Sequence, residues 1–165
     1  MQFVQKKGWL AAAVVIGQMA LNACQTQSDI VTPTQTVAIN TVTSASDWTA
    51  VKAENWTKNA TNPGLRVAGF VDNAITSSIV ADGMVVAFYR DAVTREIKTL
   101  PAVIGGQLVS FSYHALNDKG IISIEQEGGQ PVAGEYRWVV VPKEALATAN
   151  WNEYATAKQW LGLTD

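Results

Sequence analysis

Hydrophobic and polar positions divide the chain into three unequal parts. An apolar run, "WLAAAVVIGQMAL", extends from Trp9 to Leu21 behind Lys6 and Lys7. Residues 25–46, "QTQSDIVTPTQTVAINTVTSAS", are dominated by Thr, Ser and Gln, with Asp29 as the one charge. From Asp47 onward, short apolar segments alternate with turn-forming residues. "DWTAVKAENW" alternates loosely, with Trp48 and Trp56 an even number of positions apart. Asn62-Pro63-Gly64 and Asp82-Gly83 are turn chemistry, and they bracket a short strand, "LRVAGFVD", and an irregular stretch, "ITSSIVADG". "MVVAFYRD" is apolar and β-branched and predicts a central strand. "EIKTLPAVI" predicts a strand stopped at Pro101, because proline cannot donate to the ladder.

The clearest signal is a hairpin. "QLVSFSYHALN" and "GIISIEQE" flank Asn117-Asp118-Lys119-Gly120. Period two puts Val109, Phe111, Tyr113 and Ala115 on one face, and Ser110, Ser112, His114 and Leu116 on the other. In the partner strand either Ile122 and Ile124 or the alternate Ile121 set points inward. "GEYRWVVVP" is a last strand, ended by Pro142. The tail then changes period. Asn150 with Glu153 resembles a capping box, Tyr154, Ala157, Trp160 and Leu161 form an apolar stripe, and Gly162 ends the helix. The expected fold over residues 47–165 is an antiparallel β-sandwich or open barrel of about seven strands with a short C-terminal helix.

The start of the chain has the layout of a secretory signal peptide over residues 1–23: a positive beginning, a short apolar run, then small residues. Thirteen residues are too few for a comfortable bilayer span, which needs about 20. The run leads to Cys24, the sole cysteine. Leu21-Asn22-Ala23-Cys24 resembles the lipobox of bacterial lipoproteins. That resemblance implies acylation of the Cys24 sulfur, cleavage after Ala23 and a covalent lipid anchor in a membrane. Two or more buried acyl chains hold stably where one is marginal. Gln25, in place of the aspartate that retains such proteins at the inner membrane, points by the same resemblance to the outer membrane, with the leaflet open. Residues 24–46 are then the lipidated N-terminus and a flexible tether; an extra edge strand around "TVAIN" is the alternative.

Composition adds exclusions. The formal charge is −2, or −4 once Lys6 and Lys7 are removed. No basic cluster marks a nucleic-acid partner, and one cysteine permits no internal disulfide. Trp56 to Leu163, about 105 residues, is similar to uncharacterised small lipoproteins of Bacteroidota. The likeness rests on "DGMVVAFYR", on "LP" at 100–101 before the hairpin, and on "YRWVVVP" before "YATAKQWLGL". It implies fold and location and carries no catalytic residue.

Candidate chemistry is sparse. His114, the only histidine, lies beside Ser110 and Ser112 on the polar face of its strand. It is the one nucleus for a hydrolase, yet no nucleophile elbow accompanies it. Glu125 and Glu127 share a strand face, whereas glycosidic carboxyls sit across a cleft. Asp72-Asn73, Asp82-Gly83 and Asn117-Asp118 offer oxygens for calcium but are explained as turns. No catalytic, cofactor or metal site is predicted. Trp48, Trp56, Tyr136 and Trp138 are the candidates for an exposed glycan- or protein-binding face. The expectation is a lipid-anchored, non-enzymatic binding or structural β-domain. A surface carbohydrate-binding module and a hydrolase around His114 are the alternatives.

Overall fold

The computed structural model describes residues 43–117 and 119–165. The signal segment 1–23, the lipobox Leu21–Cys24, and the tether and "TVAIN" expectations up to residue 42 lie outside the described residues. The remainder forms two antiparallel five-strand sheets, stacked as an open sandwich.

The first sheet contains β1 (Ser44–Ala45), β2 (Thr49–Val51), β5 (Met84–Arg90), β6 (Ile97–Thr99) and β10 (Gly134–Val141). Its order is β1-β10-β5-β6, and β2 also pairs with β10. The second runs β3 (Thr57–Lys58), β4 (Leu65–Val71), β9 (Lys119–Glu127), β8 (Gln107–Leu116) and β7 (Ala102–Ile104). Among the described residues there are two α-helices, α1 (Ser77–Asp82) and α2 (Tyr154–Leu161), with 3-10 turns at Ala53–Asn55 and Lys143–Thr148.

β5 and the end of β10 are near-continuous apolar runs because both of their faces are covered. Inward, Val85, Ala87, Tyr136, Trp138 and Val140 meet Ala68, Val109, Ile122 and Ile124 of the second sheet. Outward, Val86, Phe88, Val139 and Val141 are sealed by Trp151 and Ala157 from the C-terminal segment. Among the described residues the second sheet has one covered face. The β8–β9 hairpin obeys the predicted alternation: Val109 is buried and Ser112, His114 and Leu116 are exposed. Its register places Ile122 and Ile124 inward.

Four expectations are revised. The folded domain starts before residue 47, since Ser44 and Ala45 pair with Val140 and Val139. "ITSSIVADG" contains α1, started by the Thr76 hydroxyl accepting the Ile79 amide at 3.4 Å and held by buried Ile79. "EIKTLPAVI" is two strands, because the chain leaves the first sheet at Leu100–Pro101 and enters the second. α2 begins at Tyr154; the Asn150 side chain bonds that of Glu153 at 2.8 Å instead of capping the helix. Gly162 ends α2 in the left-handed conformation, at φ 61°.

Candidate functional site

Of the four aromatics expected on a binding face, three are in the core. Trp56, Tyr136 and Trp138 are 6%, 0% and 4% exposed, so none offers a ring to a ligand. Period two on β10 turns Tyr136 and Trp138 toward the second sheet, where Tyr136 meets Tyr89 and Trp56, and Trp138 meets Phe70. The Trp138 indole donates to Asp72 Oδ2 at 2.6 Å, and Asp72 Oδ1 accepts the Ala74 amide at 2.9 Å. Both oxygens of the Asp72 turn thus serve the fold.

Trp48 lies elsewhere, between β1 and β2, over the outer face of the first sheet. The β5–β10 register sets Arg90 opposite Glu135, and Arg137 opposite Phe88. Arg90 Nε donates to Glu135 Oε2 at 2.9 Å, and Arg95 Nη1 reaches the same oxygen at 2.6 Å. The guanidinium carbons of Arg90 and Arg137 stand 4.1 and 4.9 Å from the centre of the Trp48 ring. One indole therefore contacts two cations, each stabilised by the ring quadrupole. Arg137 Nη1 donates to the Tyr154 hydroxyl at 3.0 Å and the Thr164 carbonyl at 3.2 Å. Hydrogen bonding from Arg90, then the charges of Arg90 and Arg95, hold the Glu135 carboxyl below the usual carboxylate range against an opposing desolvation effect. Both Arg90 and Arg137 are buried. The cluster clasps the N-terminal edge strand, the sheet and the C-terminal segment together. Alternation alone reads its arginines as solvent-facing; their burial comes from α2 and the tail, which are remote in sequence.

The outer face of the second sheet is open. Ser112 Oγ donates to Glu125 Oε1 at 2.5 Å across the β8–β9 pair. His114 is exposed two residues further along β8, opposite Ile121. Among the described residues Ser112, Glu125 and His114 share this face, and the Ser112 hydroxyl bonds Glu125 rather than His114, so no base–nucleophile bond of the kind acyl transfer uses joins His114 to Ser112. Glu125 and Glu127 lie on this face as well. Asp82 sits 3.8 Å from Lys143 in an exposed pair. Asn117 occupies the tight turn of the hairpin at φ 49°, and Asp118 lies outside the described residues. Among the described residues, no group of three or more His, Cys, Asp or Glu is placed to hold a metal ion.

One aromatic side chain missed as a surface residue is Trp160. It was expected in the apolar stripe of α2, but it is 56% exposed. Ala157 takes the contact with the sheet, and Trp160 lies at the edge of that stripe, resting on buried Trp151 at 5.7 Å. Beside it is a shallow hollow of about 480 Å³ lined by Thr148, Ala149, Thr156, Gln159 and Trp160. The chain matches no family model, no curated protein and no solved structure.

Proposed function

We propose that this chain is a lipid-anchored envelope protein of bacteria whose β-sandwich acts by binding or as a structural component rather than by catalysis. The observation that carries the reading is the position of the sole thiol, Cys24, directly after Leu21-Asn22-Ala23 and an apolar run. Acylation there fixes a compact domain to a membrane that its own helices do not cross: among the described residues, no helix is long and apolar enough to do so.

The path of the chain suits such an attachment. Ser44 pairs with Val140 in antiparallel sense, so Thr43 comes level with Val141, the last residue of β10. Residues 25–42 link that point to Cys24, a span of at most about 65 Å by backbone geometry. The binding half of the proposal draws support from the hollow beside Trp160, which is open and shallow.

The test is palmitate labelling in bacteria that express the full chain or Cys24→Ser. The native chain is expected to carry label and partition into the membrane fraction, and the variant to lose both. Label retained by the variant, or a native chain recovered unacylated, refutes the assignment of the anchor.

A further inference from the structure

We infer that the hollow beside Trp160 is a binding site for a neutral sugar ring, with the indole as its stacking platform and Gln159 and Thr156 as hydrogen-bonding partners. The inference rests on reading the domain as a binding module and supplies the class of its ligand; it does not depend on the lipid anchor.

Residues 156, 159 and 160 fall three and four positions apart on α2, which puts them on one helix face. Ala157, about 60° round the helix from Trp160 and about 160° from Gln159, is buried against the sheet. The helix is thereby held by its buried edge, with Trp160 next to that edge and Thr156 and Gln159 further round toward solvent. Thr148 and Ala149, at the end of the 3-10 turn, supply the far wall of the hollow.

The platform is rigid. Trp151 is 1% exposed and donates its indole N–H to the Ala145 carbonyl at 2.9 Å. The Trp160 ring packs against it at an interplanar angle of 54°. A large ring that is backed by a fixed one, and still more than half exposed, loses little freedom when a ligand stacks on it. Leaving that much indole in water is unfavourable by itself, and a flat apolar partner removes the cost.

The lining selects the ligand. Thr148, Ala149, Thr156, Gln159 and Trp160 include no ionisable side chain. An anionic ligand would leave water there with no counter-charge and with the Glu153 carboxylate close by, whereas a neutral one incurs no such penalty. Gln159 is exposed and brings a carboxamide with both donors and an acceptor. The Thr156 hydroxyl makes one long bond, 3.5 Å, to Glu153, and keeps capacity for another. A flat apolar face bordered by hydroxyls that donate and accept is the chemistry of a neutral pyranose. The volume of about 480 Å³ suits one or two such rings, within the range of small-molecule sites.

The test uses the full chain purified in a zwitterionic detergent without a sugar headgroup. It is titrated by calorimetry with neutral hexasaccharides of glucose, xylose, mannose and N-acetylglucosamine, and with an acidic oligogalacturonate. At least one neutral oligosaccharide is expected to bind. Trp160→Ala should weaken it by at least about tenfold, Trp160→Tyr should retain most of the affinity, and Gln159→Ala should cost several-fold. Circular dichroism melts of these surface variants should match the native chain. Absence of binding across the neutral panel, preference for the acidic oligosaccharide, or equal affinity of native and Trp160→Ala chains each overturns the inference. None of these results bears on palmitate labelling, so failure here leaves the anchor reading standing.

Discussion

Replacing Glu135 by Gln tests whether the arginine–tryptophan clasp holds the domain together. The substitution keeps shape and removes one charge. Arg90 then loses the carboxylate 2.9 Å from its Nε, while its side chain remains 5% exposed. Trp48, also close to it, is shared with the Arg137 cation, and the Asp165 carboxylate still interacts with its charge. Removing one partner of a buried pair typically costs about 3–5 kcal/mol. Two features reduce that figure here. Glu135 is 23% exposed, so water reaches the pair, and the Gln carboxamide still accepts a hydrogen bond. The contact with Arg95, half exposed at 51%, adds only a few tenths of a kcal/mol. The expected loss is about 2–3 kcal/mol at pH 7, or about 1–2 M in the urea midpoint for an ordinary denaturant slope.

Acid separates charge from packing. The Glu135 carboxyl is held below its usual range in the fold, so its contribution is fully present above the unfolded value of about 4.3. It disappears as pH falls through the lower folded value. The stability gap between native and Glu135→Gln chains should therefore be constant from pH 8 to 5 and close below pH 4. Urea melts followed by tryptophan fluorescence read both quantities. A gap under about 0.5 kcal/mol at pH 7, or one that persists unchanged at pH 3, would show that Arg90 is solvated and that the clasp contributes nothing electrostatic.

The core yields two sharper contrasts. Among the described residues the Tyr136 hydroxyl is buried without a hydrogen-bond partner, so Tyr136→Phe should raise stability by about 1 kcal/mol in urea, and a loss would mean that the hydroxyl is satisfied. Burial also pushes the Tyr136 phenol well up, and burial followed by the charge of Asp91 raises Tyr89 to about 12. The fold thus keeps protons that the unfolded chain releases near pH 10; stability should hold below that pH and fall above it, more gently in Tyr136→Phe than in the native chain. A Cβ on Gly120 would lie 2.1 Å from the Asp72 carbonyl oxygen, whereas one on Gly69 meets nothing within 4 Å. Gly120→Ala should cost about 3 kcal/mol or prevent folding, and Gly69→Ala should be neutral or slightly stabilising; equal melts would refute the close approach of the β4–α1 turn to β9.

Where the sequence was legible, one local rule decided the outcome. β8 could be read because Val109 and Ser110, Phe111 and Ser112 alternate without a break, and a hairpin needs no distant partner to set its faces. The central place of β5 was visible in the continuity of "MVVAFYR", and the end of α2 in Gly162. α1 was lost because six residues beginning Ser-Ser-Ile-Val have weak helix propensity; tertiary burial of Ile79 supplies what propensity does not. β1 was lost because two residues of a Thr- and Ser-rich run carry no period. The burial of the arginines is not legible for a different reason. Alternation on β10 correctly assigns Glu135 and Arg137 to the face opposite Tyr136, but not what covers that face.

That last failure explains the distribution of aromatics. A sandwich of two sheets buries one face of each, and period two alone would leave the other face of both in water. Here the C-terminal segment adds a third layer on the first sheet only. Its capacity is limited: an eight-residue helix reaches Val86, Phe88, Val139 and Val141, and Trp48 with Tyr154 must cover the arginines beyond it. With Ala157 directed at the sheet, the same short helix has no room to bury Trp160 as well. The exposed indole is thus a consequence of how narrow the covering stripe is, while its stiffness comes from Trp151 beneath it. Narrowing the stripe frees a platform, and the buried neighbour keeps that platform in place.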